Sequence, residues 1–140
     1  MMRLSCVMAA LCGALIGPTA QACRCPQEPS AAAAYRRASV VLEAEVMKVD
    51  EDRAAGQSTA ALRVSRSWKS TVPAELTVVT RTTCAYTFTV GAKLLVYAYQ
   101  DERYQRLETR QCMGNRPVEA ASAAIAWLDR HGPSKAPAAR

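Results

Sequence analysis

Hydrophobic and polar positions alternate along most of the chain, and the alternation predicts strands. In 39–50 (SVVLEAEVMKVD), Val40, Leu42, Ala44 and Val46 share one parity while Val41, Glu43 and Glu45 share the other, the period of two of a half-buried strand. The pattern returns in 59–68 (TAALRVSRSW) and 74–81 (AELTVVTR), and the turn-rich 51–58 (EDRAAGQS), with Gly56, separates the first two runs. That spacing predicts antiparallel hairpin partners. Three further stretches are strand-like: 85–90 (AYTFTV), 93–100 (KLLVYAYQ) and 103–112 (RYQRLETRQC), with Gly91 and Asp101-Glu102 at turns. Two segments change period. Residues 28–38 (EPSAAAAYRRA) open on Pro29, run through good helix formers and end on arginines, as the helix dipole favours. In 117–131, Val118, Ala121, Ile125 and Leu128 line one helical face, Asn115 can cap it, Pro117 starts it, and Gly132-Pro133 stops it. Five or six short strands at regular spacing predict a mainly β fold, a sandwich or a small closed barrel, and strands closed into a barrel flanked by a short N-terminal helix and a C-terminal helix are the architecture drawn from the pattern. The stretch 133–140 is predicted to be a disordered tail.

The N-terminus carries a different pattern. A short positive start (Met1, Met2, Arg3) precedes an apolar run over 4–16, and Ala20-Gln21-Ala22 supplies the small-x-small signal of a cleavage site. That run is too short to span a bilayer, which takes roughly 20 residues. Residues 1–22 therefore read as an export signal, 23–132 as one domain, and the mature chain begins at Cys23 in the periplasm or outside the cell. Lipid anchoring at Cys23 is disfavoured, because Ala20 stands where such sites carry Leu. Taking 22 residues from the 140 leaves 118, with 17 basic and 12 acidic side chains because Arg3 is the only charge lost. The basic residues are scattered rather than clustered, so a solvated surface accounts for them and nucleic-acid binding is not expected.

Cysteine usage sharpens the picture. Cys6 and Cys12 leave with the signal, and Cys23, Cys25, Cys84 and Cys112 remain, an even number in an exported chain. Pairing Cys23 with Cys25 is sterically poor, which leaves two long-range pairings open. A structural zinc site would want CxxC or cysteine and histidine knuckles, and this spacing does not supply them.

A mature terminus of C-x-C, a short helix, a first strand of the form V-x-x-x-A-x-V, then Cys84-Ala85-Tyr86-x-Phe88 and Gly91-x-x-Leu94-Leu95-Val96-Tyr97-Ala98, resembles the tissue inhibitors of metalloproteinases and, more broadly, the netrin-like domains. The resemblance covers nearly all of the mature chain. It implies a five-stranded OB-fold-like closed barrel with flanking helices, and disulfides Cys23–Cys84 and Cys25–Cys112. It also implies an inhibitory ridge of Cys23, Arg24, Thr82 and Thr83, in which the α-amino nitrogen and carbonyl oxygen of Cys23 chelate the catalytic zinc of a partner metalloprotease. The chain departs from the family in three ways: Tyr35 stands where a further bridging cysteine would fall, a second cysteine-rich domain is absent, and position 24 is Arg rather than a small or β-branched residue.

The alternative is a non-inhibitory module of the cell envelope or extracellular space, in which C-x-C only staples the terminus and the partner is some other protein. An enzyme is not expected. His131, the only histidine, lies near the chain end, no phosphate-cradling glycine loop occurs, and Glu43, Glu45, Asp50, Glu51 and Asp52 read as a solvated face. No resident cofactor or metal is predicted. Trp68, Trp127, Tyr97 and Tyr99 read as packing residues.

Overall fold

The computed structural model describes residues 23–139, so the predicted export signal lies outside the described residues. The chain forms helix α1 (Ala31–Arg37), strands β1 (Val40–Asp52), β2 (Gln57–Lys69), β3 (Glu75–Arg81), β4 (Lys93–Asp101), β5 (Arg106–Glu108) and β6 (Arg116–Pro117), then helix α2 (Ser122–His131). The six strands make one sheet in the order β1-β2-β3-β5-β4-β6, and β1 also pairs with β4. The pairings of β1, β2, β3, β5 and β4 thus close into a ring, with β6 appended along Leu94–Leu95 of β4. All these pairings are antiparallel except β3 with β5.

β1 reaches both neighbours because it is long and irregular. Its register against β2 shifts at Val41/Leu42, Glu43/Ala44 and Val46/Lys48, and such bulges bend a strand so that it can serve two edges. The parity read from the sequence sorts the core into two layers. Val40, Leu42, Ala44 and Val46 pack with Leu62, Val78, Leu94, Val96 and Phe88 in one cluster. Val41, Leu95 and Tyr97, of opposite parity, pack in a second cluster with Trp68, Ala34 of α1, Ala121 just before α2, and Ala124 and Leu128 of α2. β4 is buried on both faces for this reason.

α1 begins at the Ser30 cap, whose hydroxyl accepts from the Ala33 amide at 3.2 Å, and ends on Arg36 and Arg37. α2 docks through Trp68, whose indole N–H donates to Asp129 at 2.7 Å. Tyr35 stands edge-on to Trp127 with centroids 5.9 Å apart, and its carbonyl accepts from Lys69 Nζ at 2.8 Å. His131 is exposed, stacks on Trp127 at 3.7 Å and donates from Nδ1 to the Trp127 carbonyl at 2.7 Å.

Four local expectations are corrected. Residues 85–90 form no strand. The alternation there serves to bury Phe88 and set Tyr86 edge-on to it at 5.1 Å, with the Tyr86 amide donating to Thr80 Oγ1 at 2.7 Å. Of 103–112 only Arg106–Glu108 is strand, and the chain then leaves the sheet through a 3-10 turn at Gln111–Met113 to reach its disulfide. Asn115 does not cap the last helix, and Pro117 lies in β6. The Asn115 amide is buried: its oxygen accepts from the Tyr97 N–H at 2.7 Å and its nitrogen donates to Thr109 Oγ1 at 2.7 Å. The helix starts later, at Ser122, after a 3-10 turn at Val118–Ala120. The stretch predicted to fray is also tied down. Lys135 and Ser67 exchange backbone hydrogen bonds of 2.7 and 2.9 Å, and the Ala138 amide donates to Val72 at 2.8 Å. β3 runs beside β2 only as far as Arg63, so the backbone groups of β2 beyond it need another partner.

Candidate functional site

An extended chain turns successive side chains to opposite sides, and C-x-C exploits this. Cys23 and Cys25 are half-buried while Arg24 between them is exposed. Cys23 bonds Cys84 and Cys25 bonds Cys112, with Cα separations of 5.0 and 5.4 Å. This is one of the two pairings the spacing leaves open and the one the resemblance implies. The first bridge joins the terminus to the turn after β3, the second to the 3-10 turn after β5.

The structure brings three of the four predicted contact residues together through that first bridge. Thr82 and Thr83 immediately precede Cys84, and both are exposed. Thr82 sits at φ 73°, a left-handed conformation that a β-branched residue adopts only under constraint. The constraint is visible. The Thr82 amide donates to Gly56 of the β1–β2 turn at 3.3 Å, its carbonyl accepts from Ala85 at 3.2 Å, and its hydroxyl accepts from the Cys84 amide at 3.3 Å. The Gln111 amide in turn donates to the Cys84 carbonyl at 3.0 Å, tying the two bridged turns to each other. Arg24 lies between the bridges and makes no ion pair or hydrogen bond among the described residues.

A second constellation beside this region escaped the sequence reading. Glu108 is 2% exposed and accepts from Arg81 Nε at 3.2 Å, from Arg106 Nε at 2.9 Å and from the Tyr99 hydroxyl at 2.9 Å. Asp101 takes a second contact from Arg81 at 3.5 Å. Two arginines therefore balance two carboxylates. Arg110 is bound differently, donating from Nε and Nη2 to the Tyr99 hydroxyl at 3.1 and 2.8 Å. Burial pushes the Tyr99 hydroxyl pKa up, with the Arg110 hydrogen bond opposing it, so the phenol stays neutral and Arg110 keeps an uncompensated charge. The only local signal was the shared parity of Arg106, Glu108 and Arg110, and nothing in it points to Arg81 or Tyr99.

The bland readings of the aromatic residues hold for Trp68 and Tyr97, which are core. Glu43 is less solvated than expected, with its carboxylate accepting from Arg66 Nε at 2.9 Å and its side chain 19% exposed. Among the described residues, no group of three or more His, Cys, Asp or Glu side chains could hold a metal ion, and no helix is long and apolar enough to cross a membrane. No protein-family model matches the chain, and a search of curated proteins finds no match.

Proposed function

We propose that the chain is an exported inhibitor-like domain of the netrin kind, its ring of strands a closed OB-type barrel, whose stapled N-terminus is a wedge for the zinc centre of a metalloendopeptidase. The observation that supports this is the Cys23-Arg24-Cys25 arrangement: both cysteines bridged and half-buried, the residue between them exposed, and Thr82-Thr83 exposed beside the first bridge. Cleavage after Ala22 would free the α-amino group of Cys23, whose ordinary pKa is about 7.7 to 8.0, and a nearby dication favours its neutral, coordinating form. That nitrogen and the Cys23 carbonyl oxygen form a five-membered chelate able to displace the water that a catalytic zinc keeps in its open position. The two bridges fix the chelate before binding, so little ordering cost remains. Arg24 then selects the partner. An apolar pocket would bury its guanidinium unpaired at a cost of several kcal/mol, so the peptidase must offer an acidic or water-open pocket.

A second reading is a non-inhibitory binding module that uses the bridges only as staples. What favours it is Arg24 itself, together with Tyr35, which packs on Trp127 at the position where a further bridge would stand in the inhibitors. One experiment separates the two. Mass spectrometry and peptide mapping establish whether the exported chain begins at an unmodified Cys23, and that chain and a version with one added N-terminal alanine are then tested against a panel of zinc endopeptidases. Inhibition by the first that the added residue abolishes supports chelation. Equal inhibition by both, or none by either, refutes it and leaves the module.

A further inference from the structure

Arg110 and Arg37 open onto one groove, and neither is neutralised. The groove, about 370 Å³, lies between the C-terminal end of α1 and the segment after β5, and is lined by Arg37, Tyr99, Arg110, Cys112 and Met113. It continues past Arg37 and Cys112 into a second hollow of about 550 Å³ whose walls include Gln27, Glu28 and Ser30. Arg37 makes no ion pair among the described residues, and Arg110 makes hydrogen bonds only to the neutral Tyr99 hydroxyl. Arg81 and Arg106 hold Glu108, Glu108 holds Tyr99, and Tyr99 holds Arg110. A guanidinium is thus kept in place by a phenol whose own partner carboxylate is already satisfied, and its charge stays available.

The geometry points to this groove as a binding site for a peptide carrying a single carboxylate, seated between Arg37 and Arg110, with uncharged residues continuing into the second hollow. Guanidinium groups match carboxylates through paired, charge-assisted hydrogen bonds. The Tyr99 ring and Met113 give the neighbouring aliphatic atoms an apolar wall. Charge sets the rest of the ligand. Glu28 lies in the second hollow with its side chain 73% exposed, and among the described residues only Arg116 offsets it, at 3.4 Å. A uniformly anionic chain such as a sulfated polysaccharide would be repelled by that carboxylate, whereas the uncharged residues of a peptide with one acidic side chain would not. The site stands independently of zinc chelation, since none of its cations involves the α-amine of Cys23.

The test is titration of the mature, oxidised protein with acetyl-Ala-Ala-Glu-Ala-Ala-amide at low salt, followed by amide chemical shifts. The same peptide with Gln for Glu, sodium acetate and inorganic phosphate serve as comparisons. The expected result is saturable shifts around residues 37 and 110–113, with the Glu peptide binding about tenfold tighter than its Gln counterpart and tighter than acetate. R37Q and R110Q should each weaken the Glu peptide by about tenfold, and Tyr99→Phe, which keeps the charge but frees it, by less. R63Q, on an exposed arginine of β2, should leave binding unchanged. Equal loss in R63Q and R110Q would mean diffuse attraction and overturn the site. Phosphate binding as tightly as the Glu peptide would overturn the peptide assignment, as would shifts elsewhere or none at all.

Discussion

Removing the two disulfides singly and together tests how the N-terminus is held. The bridges close loops with sequence separations of 61 and 87, and the loops share the segment between Cys25 and Cys84. Taken alone, loop entropy assigns each about 4 to 5 kcal/mol. They are not alone. When only Cys23–Cys84 is removed, its ends remain connected both by the direct segment from Cys25 to Cys84 and by a detour across the other bridge and back from Cys112, and the two paths in parallel act as an effective loop of about 20 residues. When only Cys25–Cys112 is removed, the corresponding loop is about 30 residues. The single losses are then about 3.3 and 3.6 kcal/mol, whereas removing both costs about 8 kcal/mol, an excess of about 1 kcal/mol over their sum. The assay is urea unfolding followed by the fluorescence of Trp68 and Trp127 for the wild type, the two double-alanine variants and the four-alanine variant, with stability from midpoint and slope. Sulfate added throughout keeps the weakest variant within range, because a domain of this size has roughly 5 to 15 kcal/mol to lose. A four-alanine deficit equal to or below the sum of the two pairs refutes the interlocked-loop account. Single deficits below about 1 kcal/mol would show that the unfolded chain is not where the bridges act.

Other outcomes follow from single residues. Tyr97 is 1% exposed and its hydroxyl has no hydrogen-bond partner among the described residues, so Tyr97→Phe should leave the urea midpoint unchanged or raise stability by about 1 to 3 kcal/mol, whereas a loss would mean the hydroxyl is satisfied. Glu108→Ala leaves Arg81 and Arg106 facing a buried gap. Both guanidinium groups retain access to water, at 37% and 25% side-chain exposure, so the expected loss is about 2 to 3 kcal/mol rather than the larger cost of a fully buried pair. Thr82→Asn keeps an acceptor for the Cys84 amide and suits φ 73° better, and thermal unfolding should show a gain of about 1 kcal/mol. Burial raises the pKa of Tyr86, Tyr97 and Tyr99 above the ordinary 10.0, so the folded state keeps protons that the unfolded chain releases. Their stabilisation is therefore complete below pH 10 and falls as pH rises through the folded values, an alkaline decline that Tyr97→Phe should make shallower in urea titrations at successive pH values.

The two layers of the core were legible because they rest on local alternation. Once Val40, Leu42 and Val46 share a parity opposed to Val41, a half-buried strand has no other way to place them. The same logic gives meaning to C-x-C, where a spacing of two turns both sulfurs inward and Arg24 outward. What the local pattern could not convey was which edges were free. Residues 85–90 alternate as a strand does yet join no strand, and Lys135, in a stretch with no strand pattern at all, pairs with Ser67 of β2. Asn115 reads as a helix cap by its place in the chain, but the buried amide of Tyr97 claims its side chain first. The groove cations are the clearest case. Arg81 and Glu108 lie 27 residues apart, and Arg37 and Arg110, far apart in sequence, line one groove only after α1 has packed on the sheet. Alternation and spacing are properties of neighbouring residues and so belong to the sequence. The closing of the ring and the pairing of distant charges depend on which edges and side chains are left unsatisfied after the chain has packed, and only the tertiary structure decides that.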